Sequence, residues 1–183
     1  MVNIFAKLRA RMLEGMVFHD EMAKYYHFLN MKGYAKCHEY HYAEETAGYR
    51  RLSRYFMEHQ HKFIPVLPMN KPDVIPTNWT NATQQQVDAG TRQSGIKTGF
   101  EKWVQWEKDT KAIYQDAYKS LVEMGEPATA DFILEYVRAV DDELGHAERE
   151  HIKHDSIGYD LIAMVGWQEE LCEKYKQKIK NMF

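Results

Sequence analysis

Residues 99–151, GFEKWVQWEKDTKAIYQDAYKSLVEMGEPATADFILEYVRAVDDELGHAEREH, read as two antiparallel helices joined at Gly125-Glu126-Pro127. In the first, Phe100, Trp103, Thr110, Tyr114, Ala117, Leu121 and Met124 recur at alternating three- and four-residue steps and so share one helix face. Glu107 fills the one gap in that stripe. In the second, Ile133, Val137, Val140, Leu144 and Ala147 make a similar stripe, with Glu143 on its edge. Glu107 stands as far before Gly125 as Glu143 stands after it, so antiparallel helices bring the two carboxylates to one level. A carboxylate in an apolar stripe is costly unless something pairs with it.

Upstream, residues 4–31 form a first helix in which Phe5, Leu8, Met12, Gly15, His19, Met22, Tyr26 and Leu29 keep an a/d register, with His19 in mid-seam. Gly33 reads as the centre of a tight turn, after which a second helix over 35–62 returns antiparallel. Its inward face is anchored by Leu52, Tyr55 or Phe56, His59 and Phe63. Continued backward, the register turns Gly48, Glu45, His41 and His38 inward as well, a polar segment in an apolar seam. Counted about Gly33, His19 mirrors position 47, so the His of helix one faces the Glu of helix two.

Pro65, Pro68, Pro72 and Pro76 then end the periodicity, and 64–97 reads as a crossover loop. So long a connection needs a structural job. A helix of this length spans about 42 Å, and about 13 extended residues return along it, so the loop can carry the chain back and set helix three parallel to helix two. Thr98-Gly99-Phe100-Glu101 has capping-box spacing and opens helix three over 99–124. Helix four covers 129–154. A fifth helix over 159–181 has a weaker apolar face of Leu161, Val165, Gln168, Cys172, Tyr175 and Ile179, to be laid on the bundle or a partner. The expected fold is all-α: a four-helix bundle with a long crossover between helices two and three and a fifth C-terminal helix, in one domain over 1–183.

Composition narrows the function classes. The chain has 183 residues, 44% apolar and 28% charged, with a net charge of −3, which suits a folded globular chain and carries no polyanion-binding signature. No nucleic acid is expected as a partner. No run of 18 apolar residues occurs, so no membrane span is expected. Cys37 and Cys172 cannot make a disulfide framework, charges interrupt the N-terminal MVNIFAKLRARMLEGM, and a cytoplasmic location is expected. Asn78-Trp79-Thr80 and Asn81-Ala82-Thr83 match glycosylation acceptors but read as chance matches in a polar loop.

His19, His41, Glu45, Glu107 and Glu143 thus converge from four helices. Iron accepts imidazole and carboxylate together, and a bundle core can present both; manganese or zinc are further choices. Glu143-Leu144-Gly145-His146 has ligand spacing, although His146 points off the apolar stripe. The bland alternatives are a hydrogen-bonded core histidine at position 19 and carboxylates paired with a nearby Arg or Lys. His38, His59, His61, His151 and His154 read as surface residues, and Trp79, Trp106, Trp167 and Phe183 as exposed aromatics available to an interface.

Two helical hairpins joined by a bundle-length crossover, with acidic and His residues directed inward, resemble the ferritin-like superfamily. Phe100 to Glu107, Met124-Gly125-Glu126-Pro127 and Asp131 to Val137 are similar, without a gap, to the third and fourth helices of bacterial ferritins. The resemblance implies that Glu107 is the third-helix ligand, Glu143 the last fourth-helix ligand, and the Glu44-Glu45 pair the second-helix Glu. It departs at Gly48, where ferritins carry the His of Glu-x-x-His, and at Val140, the first ligand position of helix four. In helix one the ligand is Glu14 by local sequence or His19 by register, and His19 is preferred. The resemblance further implies metal ions as partners, a homo-oligomer, and a di-iron centre that oxidises ferrous iron with oxygen or peroxide, or stores it. The alternative is a ferritin-like bundle that has lost the oxidase centre and serves as a structural or interaction protein.

Overall fold

The chain folds back on itself where Asn30 and Gly125 adopt left-handed backbone conformations, at φ 63° and 71°. The computed structural model describes residues 1–76, 79 and 82–182, so both glycosylation-like motifs and Phe183 fall wholly or partly outside the described residues. Five α-helices are described: α1 (Val2–Phe28), α2 (Lys32–Gln60), α3 (Ala89–Glu123), α4 (Pro127–Asp155) and α5 (Leu161–Lys180), with a 3₁₀ turn at Gln84–Gln86 on the crossover. No described helix is long and apolar enough to cross a membrane.

α1 with α2 and α3 with α4 form antiparallel hairpins. Between them, Arg11 meets Thr110, Phe18 stacks on Trp106, and Tyr25 Oη donates to the Gly95 carbonyl at 2.8 Å. The order of these pairs makes α1 antiparallel to α3. On the opposite side of the bundle, Tyr55 stacks on Phe132 at 3.7 Å and Tyr136 Oη donates to the Gly48 carbonyl at 3.2 Å. α3 therefore runs parallel to α2, as a bundle-length crossover requires.

Three boundaries differ from the sequence reading. α3 starts at Ala89 rather than at Gly99, because the Asp88 side chain accepts from Thr91 N at 2.9 Å and caps it. Gly99, read as a helix opening, lies inside α3, where a Cβ would stand 2.9 Å from Tyr26 Oη. α2 ends at Gln60, with His61 left-handed at φ 51°. His59 is consequently exposed and Phe63 is 87% exposed, so Leu52 and Phe56 anchor that end. Gly33 is no turn: it lies in α2, where a Cβ would stand 2.6 Å from the Gln168 carbonyl and 2.9 Å from Leu171 Cβ. The true reversal at Asn30 moves the register, so Gly15 faces Glu45 while His19 faces His38 and His41.

α5 lies in the groove between α2 and α4. Gln168 Oε1 accepts from Gly33 N at 2.9 Å and Tyr34 N at 3.3 Å, capping α2, whose own Met31 makes no side-chain cap. Trp106 packs on Phe18 with the Arg11 guanidinium 3.4 Å from its ring, Trp79 stacks on Tyr25, and Trp167 packs on His154. These aromatics are engaged within the chain. The core divides into two apolar clusters: one around Tyr26, Tyr34, Phe100 and Trp103, the other around Phe5, Leu8, Leu52, Phe56 and Ile133. Each such side chain contributes about 1.5–3 kcal/mol on burial. A polar layer separates the two clusters.

Candidate metal centre

His19 is fully buried, and its Nδ1 stands 2.9 Å from His38 Nδ1, one nitrogen donating and the other accepting. His41 packs on the same pair, its ring centroid 5.2 Å from that of His19 and 6.2 Å from that of His38. Burial first, and then the neighbouring imidazoles, holds His19 and His38 well below their ordinary pKa, so both are neutral; the ring that donates at Nδ1 keeps its lone pair at Nε2, and the ring that accepts carries its proton there. Burial also opposes charge on His41, but Cys37, Glu44 and Glu143 outweigh it and raise its pKa.

Glu107 is 1% exposed; its Oε1 accepts from Trp103 Nε1 at 3.0 Å and lies 3.8 Å from His19 Nε2. Glu143 Oε1 lies 4.0 Å from His41 Nδ1. Glu45 occupies the space that Gly15 leaves, where a Cβ would stand 2.5 Å from its Oε1. All three carboxyls are held above the ordinary carboxylate range, by burial first. Glu107 is then raised by Glu45 against His41, Glu143 by Glu107, and Glu45 by Glu143.

The nearest buried cation does not neutralise them. Arg11 spends its donors on Thr110 Oγ1 at 2.9 and 2.8 Å and on the Trp106 carbonyl at 3.0 Å, and its ion pair runs to Glu14. Among the described residues, the ion pairs of Glu107 and Glu143 run to histidines alone. His19 Nε2, His38 Nε2 and both nitrogens of His41 lack hydrogen-bond partners; the 3.1 Å approach of His41 Nδ1 to Glu44 Oε2 is off the hydrogen-bond direction. Buried polar groups are nearly always satisfied, so four imidazole nitrogens without hydrogen-bond partners beside three carboxyls that no Lys or Arg among the described residues ion-pairs mark this layer as a place for a bound cation. Ligand atoms of His41, Glu44 and Glu143 lie within 4.8 Å of one another, as do those of Cys37, His41 and His146.

The residues expected from sequence fall into place unevenly. His19 meets Glu107, and His41 meets Glu143. Glu45 sits beside Gly15 at the edge of the layer, and His146 lies on another side of His41 next to Tyr175. Glu14 accepts from Asn70 N at 2.8 Å and so ties down the crossover. His38 and His154, read as surface residues, are fully buried. Tyr34 Oη joins His154 to Glu150. Cys37 was read only as a cysteine outside any disulfide framework and not as a ligand, and the one-turn spacing of Cys37, His41 and Glu44 on α2 was the signal that could have found the set. At the positions where ferritin ligands are missing, Val140 is buried and Tyr136 Cε1 lies 3.5 Å from where a Gly48 Cβ would stand.

Two clefts reach the layer from outside. One of about 170 Å³ is lined by Glu44, Glu45, Gly48, Tyr136 and Glu143, and one of about 370 Å³ by His41, Glu44, Glu143, His146 and Tyr175. Both end on Glu44 and Glu143.

No protein-family description matches the chain, and no curated protein sequence does. Solved structures do. A humanized archaeal ferritin superposes with a TM-score of 0.78 at 18% identity, covering 94% of each chain. An open-pore ferritin from the hyperthermophilic archaeon Archaeoglobus fulgidus superposes with a TM-score of 0.76 at 17% identity, covering 94% of this chain and 95% of that one. An engineered closed form of the Archaeoglobus fulgidus ferritin gives the same TM-score and identity. With two antiparallel hairpins, the crossover between them and this near-complete superposition, the chain has the ferritin-like fold.

Proposed function

We propose that the chain is an iron-handling protein whose interior centre takes up ferrous iron as substrate and allows its oxidation by dioxygen or peroxide. The observation that carries the reading is a cluster of unpartnered polar groups: among the described residues Glu45, Glu107 and Glu143 crowd together without an ion-paired Lys or Arg, beside His19, His38 and His41 with ring nitrogens that make no hydrogen bond. The donor set fits the ion, because mixed imidazole and carboxylate ligation suits iron. His41, Glu44 and Glu143 would hold one ion, and Glu107 with His19 would extend the cage toward a second. Iron brings the one-electron redox chemistry. The protein's residues bind the ion, orient it and exclude bulk water. Trp103 fixes one oxygen of Glu107 by hydrogen bonding, and Glu44 and Glu143 at the floor of both clefts draw cations inward. The remaining pairing of Arg11 and His41 with the carboxyls partly offsets their charge in the metal-free state.

The test is anaerobic ferrous loading of the full chain, desalting and elemental analysis. About two irons per chain are expected, with at least a tenfold loss of affinity in Glu107→Gln. Background iron in both proteins would falsify the reading. That outcome would favour a second one, a bundle that serves as a structural or interaction protein, whose supporting observation is the loss of ligands at Gly48 and Val140.

A further inference from the structure

Cys37 and His41 stand one turn apart on α2 and share a face, at 0% and 5% exposure. α4 brings His146 to them, and one ligand atom from each residue lies within 4.8 Å of the others. The rings of His41, His146 and Tyr175 form a triangle with centroid separations of 6.5, 6.4 and 6.4 Å. Trp103 closes the inner side, 5.4 Å from the His146 ring and 5.9 Å from that of His41. The larger cleft opens the outer side, with Tyr175 Oη 3.4 Å from His146 Nε2. A second observation points to a ligand: both ring nitrogens of His41 are buried and neither is hydrogen-bonded, directly beside a thiol that forms no disulfide.

We propose that Cys37, His41 and His146 form a sulfur–nitrogen metal site that takes zinc or a chemically similar divalent ion, distinct in chemistry from the carboxylate-rich group that shares His41. Thiolate and imidazole together favour zinc over harder ions that prefer oxygen ligands. Three protein ligands leave a fourth position, here turned to the cleft and bordered by the Tyr175 hydroxyl. On binding, the Cys37 S–H bond breaks, the sulfur lone pair forms the bond to the ion, and the proton leaves to solvent. Lys174 and Lys178 at the rim lie over the rings of Tyr175 and Tyr40, 5.2 and 4.6 Å away, while Glu44 and Glu143 face the site from α2 and α4. Because His41 belongs to both groups, an ion held by Cys37 competes with the carboxylates for it. Zinc occupancy therefore slows ferrous loading.

Cobalt(II) is the probe, titrated into the reduced full-length chain. The expected result is a thiolate-to-cobalt charge-transfer band that saturates at one equivalent and is displaced by zinc. The band disappears in Cys37→Ser and His146→Ala and persists in Cys172→Ser and Glu107→Gln, with circular dichroism confirming that each variant is folded. Zinc affinity falls at least tenfold in Cys37→Ser. Cobalt binding without the band, or a band removed by Cys172→Ser instead, overturns the proposal. If Cys37→Ser folds poorly, X-ray absorption of zinc on the wild-type chain decides: one sulfur at about 2.3 Å with nitrogens at about 2.0 Å supports the site, and oxygen and nitrogen alone overturn it. Glu107→Gln lowers iron affinity at least tenfold and spares the band, so the two metal readings fail separately.

Discussion

Gly15 shows how one absent methyl group shapes the polar layer. Glu45 lies in the space a Cβ would occupy, 2.5 Å from its Oε1. Gly15→Ala is expected to stabilise metal-free α1 by up to about 1 kcal/mol through helix propensity, while displacing Glu45 and weakening iron binding about tenfold, on the order of 1.4 kcal/mol. Thermal unfolding and ferrous titration of the same variant read the two opposite signs. His154 gives a pH signature away from the metal ligands. Burial holds its pKa down, to about 4, with Glu150 opposing, so between pH 6.5 and 4 the unfolded chain binds a proton that the folded chain does not. Its contribution is intact above pH 6.5 and lost as pH falls toward 4. His154→Gln is expected to flatten that acid limb in a stability-versus-pH series, and an unchanged limb would sink the assignment. His154 was unreadable as a core residue in the sequence, because Tyr34, Phe100 and Trp167, which enclose it, all lie elsewhere in the chain.

At the scale of elements, the docking of α5 depends on two residues. Gly33 allows the α5 backbone to close on α2, and Gln168 caps the two amides that α2 leaves open. Gly33→Ala is expected to cost about 1–3 kcal/mol by overpacking and to expose α5 to limited proteolysis. Full protection of α5 in that variant would contradict the docking described. The same glycine explains the main error of the sequence reading. A Gly after an apolar run is a natural turn centre, and choosing Gly33 over Asn30 shifted the α1–α2 register, pairing His19 with the wrong stretch of α2. In the second hairpin Gly125 does hold the turn, and Glu107 and Glu143 were rightly placed at one level. The early start of α3 was hidden because Gly95 read as loop and Gly99 as a helix opening, whereas here they admit the rings of Trp79, Tyr25 and Tyr26.

Across the whole molecule, two apolar clusters flank a polar layer. The periodicity of the apolar residues made the four-helix plan and the crossover legible, since those signals are local and repeated. The chemistry of the layer was only half legible, because Cys37, His38 and Glu44 owe their placement to the register between helices and to α5. The central claim is that the layer is a cage for iron and no mere network of core hydrogen bonds. Anomalous diffraction at the iron edge from crystals grown after anaerobic ferrous loading tests it most directly. The account predicts an anomalous peak within bonding distance of His41 and Glu143, with Glu107 and His19 turned toward it. An iron-free layer, with ordered water pairing the nitrogens of His19, His38 and His41, would contradict it.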